Sequence, residues 1–411
     1  MSTPVRADVA DAPRAPQETT MSESAYRRIA DNIDAGPMTA PRADGDFSPA
    51  FLRFLALLYT PEEAEIVQHL AMPGAIAPSV ADLAESLSSA DDIARATGKS
   101  VGEMTAVLDT LARKGSVIGF AGCYCLPVLP ILVNLHQFRE ALEPQDLEAA
   151  RLYEQFFIRD GFYEYYESSE MGTQVLRVIP VQRALQPGQT ILDAEEAHRI
   201  IDAAGNISLV ACPCRTRTEK LGIRECKHET PVGCCIMMEA SALYFQSIGV
   251  GRRVSAEEAR TYFDSMQELG LVGTTENHEE SGHNVICLCC RCCCSQLRGR
   301  TRWDNPDAVA PSNFVAESTD ECVLCGACVD RCVFGAITLD LREGRSAVDP
   351  ETCVGCGVCA IGCEQEALRL KRVERAKPLP TARELARTVA AENRERRGHR
   401  YWRLRKQADI R

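Results

Sequence analysis

The sequence predicts an α+β, multidomain protein. Three observations predict it. At 411 residues the chain has room for two to four domains. Helical apolar spacing and short extended runs alternate along it. Its 21 cysteines gather in separate groups rather than scattering. The expected order is a winged-helix-like N-terminal domain, a mixed α/β cysteine-rich middle domain and a compact cysteine-repeat domain, with a tail at each end.

Residues 1–45 are polar and rich in Pro and Ala, lack the apolar core that secretion needs, and read as a disordered leader. Residues 46–135 open a helical pattern. Thr60-Pro61-Glu62-Glu63 supplies an N-cap, a proline at the first helical position and a capping box. Asp91 to Gly98 reads as a short helix and turn, and Ser100 to Gly115 as a longer helix with Met104, Leu108 and Leu111 in phase. Val117–Phe120 and Cys123–Leu126 then read as a β-hairpin, which completes a winged-helix order. The helix from Ser100 sets Glu103 and Asp109 against Arg113 and Lys114, a poor surface for phosphate, so the unit is expected to pack or contact protein. Cys123 and Cys125 share one strand face, and two thiols alone do not close a metal site. Residues 136–205 form a mainly helical connector whose aromatic run (Tyr153 to Tyr166) reads as core.

Residues 206–312 carry eleven of the cysteines, more than any other stretch of the chain. A strand, Ile207–Ala211, runs into Cys212-Pro213-Cys214, followed by Cys226 and Cys234-Cys235. Another, Asn284–Ile286, runs into Cys287, Cys289, Cys290, Cys292, Cys293 and Cys294. Thiolates repel one another, so this density needs a polycation to neutralise it. An additional iron–sulfur site or sites is expected on Cys212, Cys214, Cys226, Cys234, Cys287, Cys289, Cys290, Cys292 and Cys293, with zinc as the alternative metal. Cys212, Cys214, Cys226 and Cys234 make one four-thiolate set. His283, beside Glu279 and Glu280, is expected in a solvated loop.

Residues 313–373 hold a doubled run. Cys322-x-x-Cys325-x-x-Cys328-x-x-x-Cys332 recurs 31 residues later as Cys353-x-x-Cys356-x-x-Cys359-x-x-x-Cys363. Gly326, Ala327, Gly355 and Gly357 allow tight folding around the sulfurs. The repeat resembles the bacterial two-cluster 4Fe–4S ferredoxin from about Asp320 to Lys371. That resemblance implies two 4Fe–4S clusters, one on Cys322, Cys325, Cys328 and Cys363, the other on Cys353, Cys356, Cys359 and Cys332. Where such ferredoxins carry a proline after the fourth cysteine, this chain has Val333 and Glu364. More broadly, Cys212-Pro-Cys214-Arg215, Cys226, Cys234, Gly270-Leu271-Val272, Asn277 and Ile286 to Cys293 resemble a prokaryotic family of winged-helix plus cysteine-rich 4Fe–4S dicluster proteins. The family resemblance implies an anaerobic or redox setting and supplies no substrate.

Residues 374–411 are expected to be a basic helical tail, with a helix from about Thr381 to Arg397. From Lys371 onward 14 Lys/Arg face 5 Asp/Glu, inside a chain of net charge −12. An acidic partner for the tail or docking onto the chain's own acidic body both suit it, while the acidic remainder makes nucleic acid an unfavoured partner. Cysteine richness without an export signal or membrane span points to the cytoplasm. The sequence shows neither G-x-G-x-x-G nor G-x-x-x-x-G-K-[ST]. The reading is therefore an iron–sulfur electron-transfer protein serving a redox partner protein or a reductase or methyltransferase system. The alternatives are a metal-dependent reductase using a cluster at Cys287–Cys294, with no catalytic residue assigned, and an iron–sulfur redox-sensing DNA-binding regulator.

Overall fold

The computed structural model describes residues 21–76, 78–185, 189, 191–303, 305–375 and 377–395. The protein is a mixed helix and sheet structure built of several packed units. The order of residues 21–45 corrects the expectation of a leader running to residue 45. Helix Met21–Asp34 buries Ala25, Tyr26, Ile29, Ala30 and Ile33 along one face against the N-terminal core. That stripe sits at helical spacing inside otherwise polar sequence. Residues 1–20 lie outside the described residues.

Helix Pro61–Val67 starts on the expected capping box between Thr60 and Glu63. Strand Ser88–Ser89, helices Ala90–Thr97 and Val101–Lys114, and the hairpin Ile118–Phe120 with Cys123–Cys125 follow in order. Strand Cys123–Cys125 is the middle of this three-stranded sheet. Cys125 is fully buried, and burial pushes its thiol up to about 12. The connector is shared out between its neighbours. Helix Pro144–Glu154 and the π-turn Gln155–Arg159 pack Tyr153, Phe156 and Phe157 into the N-terminal core, whereas Leu176–Ile179 is an edge strand of the middle sheet.

That middle sheet has six antiparallel strands. Their spatial order is Leu176–Ile179, Val272–Glu276, Val285–Cys289, Cys234–Met238, Ile207–Ala211 and Arg252–Arg253. Strands Ile207–Ala211 and Val285–Cys289 both flank Cys234–Met238, and all three bring their cysteine-bearing ends to one edge. Side chains alternate between the faces of a strand, so Cys235 and Met237 lie on one face and Cys234, Ile236 and Met238 on the other.

The last unit pairs Phe314–Ser318 with Leu368–Arg372 and Ile337–Asp340 with Arg345–Val348. Helix Ala382–Glu395 follows and docks back on the chain. Leu385 and Val389 are buried beside Val175, Arg383 pairs with Asp82 and Glu85, and Glu170 donates its amide to Asn393 Oδ1 at 3.0 Å. The described part of the tail thus finds its acidic partner within this chain; residues 396–411, with Tyr401 and Trp402, lie outside the described residues.

Gly299 marks a tight contact. A Cβ there would collide with the carboxylate of Glu167, a fully buried group whose pKa burial pushes well up. Gly299→Ala is expected to cost at least about 1–3 kcal/mol, the usual penalty for overpacking. A urea midpoint unchanged from wild type would contradict this.

Candidate metal centres

The two halves of the C-terminal repeat each wrap one small cavity. Cys322, Cys325, Cys328 and Cys363 line the first, and Cys353, Cys356, Cys359 and Cys332 the second. The fourth cysteine of each run therefore crosses to the other half. Backbone amides already address the sulfurs, with Ala336 N 3.3 Å from Cys332 Sγ and Ala316 N 3.5 Å from Cys353 Sγ. Gly326, Gly355 and Gly357 all adopt positive φ, at 83°, 71° and 77°. Gly355 has no alternative, because a Cβ there would run into the carbonyl oxygen of Phe314. Four thiols converging on a small cavity, with amides aimed at sulfur, fit a 4Fe–4S cluster in each half.

The middle domain divides its cysteines between the two faces of the sheet. On one side Cys226, Cys290, Cys292 and Cys293 form a compact buried set whose sulfurs all lie within 4.8 Å of one another. Individual separations run from 3.4 Å (Cys292–Cys293) to 3.9 Å (Cys226–Cys290). Contacts with Cys290, Cys292 and Cys293 pull the Cys226 thiol strongly toward thiolate. This set packs with Ile236, Met238, Ile286 and Leu288.

On the other side six cysteines close a ring. Hydrogen-bonding contacts run from Cys212 to Cys214, Cys294, Cys289, Cys287, Cys235 and back to Cys212. Cys289 and Cys294 are 3.1 Å apart. The protonation preference alternates around it. Cys214, Cys235 and Cys289 accept from their neighbours and shift down, Cys235 to about 5, while the donors Cys212, Cys287 and Cys294 shift well up. Cys214 lies in the first turn of helix Pro213–Lys220 and receives the Ser295 amide at 3.4 Å.

Four sequence expectations change here. Cys212, Cys214, Cys226 and Cys234 do not form one set, because Cys226 lies across the sheet from Cys212 and Cys214. Cys234 joins neither group; its backbone and Tyr262 Oη bond each other, and its side chain shares the face of Ile236. Cys235 and Cys294 were not assigned as ligands, yet both complete the ring. His283 is buried against Glu276 rather than solvated.

A fixed cation lies between the two groups. Arg215 is 1% exposed and donates to the carbonyls of Leu288 (2.6 Å) and Val232. Burial works against its charge, yet Cys212, Cys290, Cys235 and Cys289 together hold its pKa above the ordinary arginine value. A second buried arginine, Arg217, stacks over Tyr153 at 3.9 Å, pairs with Glu154 and reaches Ser295 Oγ.

One wall of the ring opens on a cavity of about 650 Å³ between the N-terminal unit and the middle sheet. Cys214, Cys235 and Cys287 face it, with Tyr166 and Gln296 beside them and Val128, Ile131, Leu243 and Phe120 among its apolar lining. Burial, then Tyr153 and the sulfurs of Cys214, Cys287 and Cys294, push the Tyr166 phenol well up, so it stays a proton-bearing group beside the ring. No described helix is long and apolar enough to cross a membrane.

The chain is 36% identical over 63 residues to the archaeal-type glutamate synthase [NADPH] of Thermotoga maritima and, equally, to that of Thermotoga sp. strain RQ2. The match covers 15% of this chain and 12% of the length of those relatives. No solved structure matches. The model of the 4Fe–4S dicluster domain matches residues 321–367, so the protein carries a two-cluster ferredoxin domain, an iron–sulfur electron-transfer unit, at its C-terminal end.

Proposed function

We propose that the protein is an iron–sulfur relay that passes single electrons between a redox partner protein and its own middle domain. Cys322, Cys325, Cys328 and Cys363 would hold one 4Fe–4S cluster, and Cys353, Cys356, Cys359 and Cys332 the other. Bound clusters supply reversible one-electron storage at a potential tuned by hydrogen bonds to sulfur and by exposure. The two four-thiol cavities, with the fourth cysteine crossing between halves, are the single observation that carries this reading. The two middle groups supply further iron–sulfur sites on the same donor chemistry. Cys289 and Cys294 of the ring belong to the same packed apolar cluster as Cys353 and Cys359, which supports a short internal route.

Anaerobically purified protein reduced with dithionite should give low-temperature EPR signals of interacting 4Fe–4S clusters. Cys363→Ser should remove one of them and leave its neighbour. Only trace iron and no EPR signal in wild type would overturn the relay.

A second reading is favoured by the cavity, namely a metal-dependent reductase that binds its substrate against the ring. Its volume lies within the usual range of small-molecule sites, and the ring offers more thiolates than one four-iron cluster takes. In this reading the winged-helix-like unit serves as a wall, since Asp109, Arg113, Ile118 and Phe120 line the cavity. Its longer helix is badly placed to hold DNA, because Lys114 is paired with Glu63 and Lys99 with Glu103. Turnover with an artificial low-potential donor distinguishes reductase from relay. A salt-dependent shift of duplex DNA by the protein would revive a regulatory role.

A further inference from the structure

The hairpin turn joining strands Val272–Glu276 and Val285–Cys289 holds three buried groups that the cysteine chemistry does not use. Glu276 is 3% exposed, His278 1% and His283 3%. One ligand atom from each lies within 4.8 Å of the other two. The two imidazoles stack with centroids 4.3 Å apart and planes 11° from parallel.

Two of the three are held in place by neighbours. Glu276 Oε1 accepts the Asn284 amide at 3.0 Å, while Oε2 meets His283 Nδ1 at 3.2 Å. Thr275 Oγ1 contacts the same His283 nitrogen at 3.0 Å. Outer partners of this kind orient metal ligands. His278 is different. Neither of its ring nitrogens has a hydrogen-bond partner, although the side chain is buried and the Glu280 backbone lies nearby. A buried polar group normally finds a partner, and leaving one without costs about 1–3 kcal/mol. Its position beside a histidine and a carboxylate names a cation as the missing partner.

We propose that Glu276, His278 and His283 form a mononuclear site for a divalent transition-metal ion. Two imidazoles and one carboxylate are a ligand set for zinc or ferrous iron that leaves a coordination position open. Such ions bond nitrogen and oxygen at about 2.0–2.2 Å, so binding requires the triad to close and the stacked rings to turn their nitrogens toward one ion. Glu276 also lines the 650 Å³ cavity, together with Cys214, Cys235 and Cys287. The ion would therefore reach the same chamber as the thiolate ring. The segment before the last helix pairs with this turn, since Glu279 donates its amide to the Leu379 carbonyl at 2.8 Å. This site stands independently of the cluster assignments.

The test uses the full chain, purified anaerobically, treated with EDTA, given equimolar zinc sulfate and desalted. Wild type should retain about one zinc per chain, with a zinc-edge X-ray absorption spectrum fitted by nitrogen and oxygen neighbours. His278→Gln and Glu276→Gln should each lower the retained zinc by about tenfold or more while iron content stays at the wild-type level. Absence of retained zinc in wild type, or a first shell of sulfur, would overturn the proposal. The wild-type spectrum decides the matter alone if a variant fails to accumulate.

Discussion

Cys293→Ser and Cys294→Ser, one residue apart, are expected to strip different centres from the protein. Cys293 belongs to the compact set with Cys226, Cys290 and Cys292, whereas Cys294 closes the ring between Cys214 and Cys289. Serine replaces a soft thiolate by a hydroxyl that stays protonated near neutral pH, so either centre should lose occupancy. The Cys293 variant should lose about four irons per chain and keep the signals of the ring. The Cys294 variant should lose the ring signals and keep those of the compact set. In both, the ferredoxin domain should retain about eight irons. Iron and sulfide analysis with Mössbauer spectra checks each claim, and loss of the same signal from both variants would show that the middle domain holds one shared centre.

Glu195→Ala is expected to be the most destabilising single substitution away from the cysteines. Glu195 is fully buried, and its Oε1 lies 2.6 Å from Arg177 Nη2, itself 1% exposed. The same oxygen accepts from the Asn313 amide at 2.9 Å and from its side chain at 3.0 Å. Truncation leaves a guanidinium in the interior without a counter-charge, which costs about 3–5 kcal/mol. It also cuts the tie between the middle sheet and the first residue before strand Phe314–Ser318. Urea unfolding followed by far-UV circular dichroism and by visible cluster absorbance should show both signals moving to lower denaturant. The double variant Arg177→Met with Glu195→Leu should recover much of the loss, because it removes the stranded charge. A loss below about 1 kcal/mol, the range of an exposed pair, would contradict a structural role.

The C-terminal cavities were legible because the doubled run resembles the two-cluster ferredoxin, a resemblance that implies how its eight cysteines divide; each cavity is lined by one of those two sets. The capping box at Thr60 and the hairpin ending at Cys125 were legible for a similar reason, since both are local. The partition of the middle cysteines was not. Adjacent residues Cys293 and Cys294 diverge because a sheet passes between their destinations, and sequence adjacency carries no trace of that. Part of the answer was nevertheless present as strand alternation. Ile286 pairs with Ile236, so the next position brings Cys287 opposite Cys235 and leaves Cys234 on the other face. His283 was misread because its neighbours Glu279 and Glu280 suggested solvent, whereas the fold turns Glu276 inward to meet it. Helix Met21–Asp34 was hidden by composition, its apolar stripe diluted by charged residues on the outer face.

The ring draws on positions 212 and 294, and that separation sets a schedule for biosynthesis. At about 5–20 residues per second, the ribosome releases Cys212 and Cys214 roughly 4–16 seconds before Cys294. During that interval the early thiols have no ring to enter, and Cys214 lacks the Ser295 amide that later addresses it. The nascent chain is then at its most vulnerable to oxidants, and loading must wait until the second cysteine group has emerged. Expression under air should therefore yield protein damaged at Cys212 and Cys214 more often than at Cys292 or Cys293, a bias that peptide mass mapping of sulfenic and sulfinic adducts would reveal.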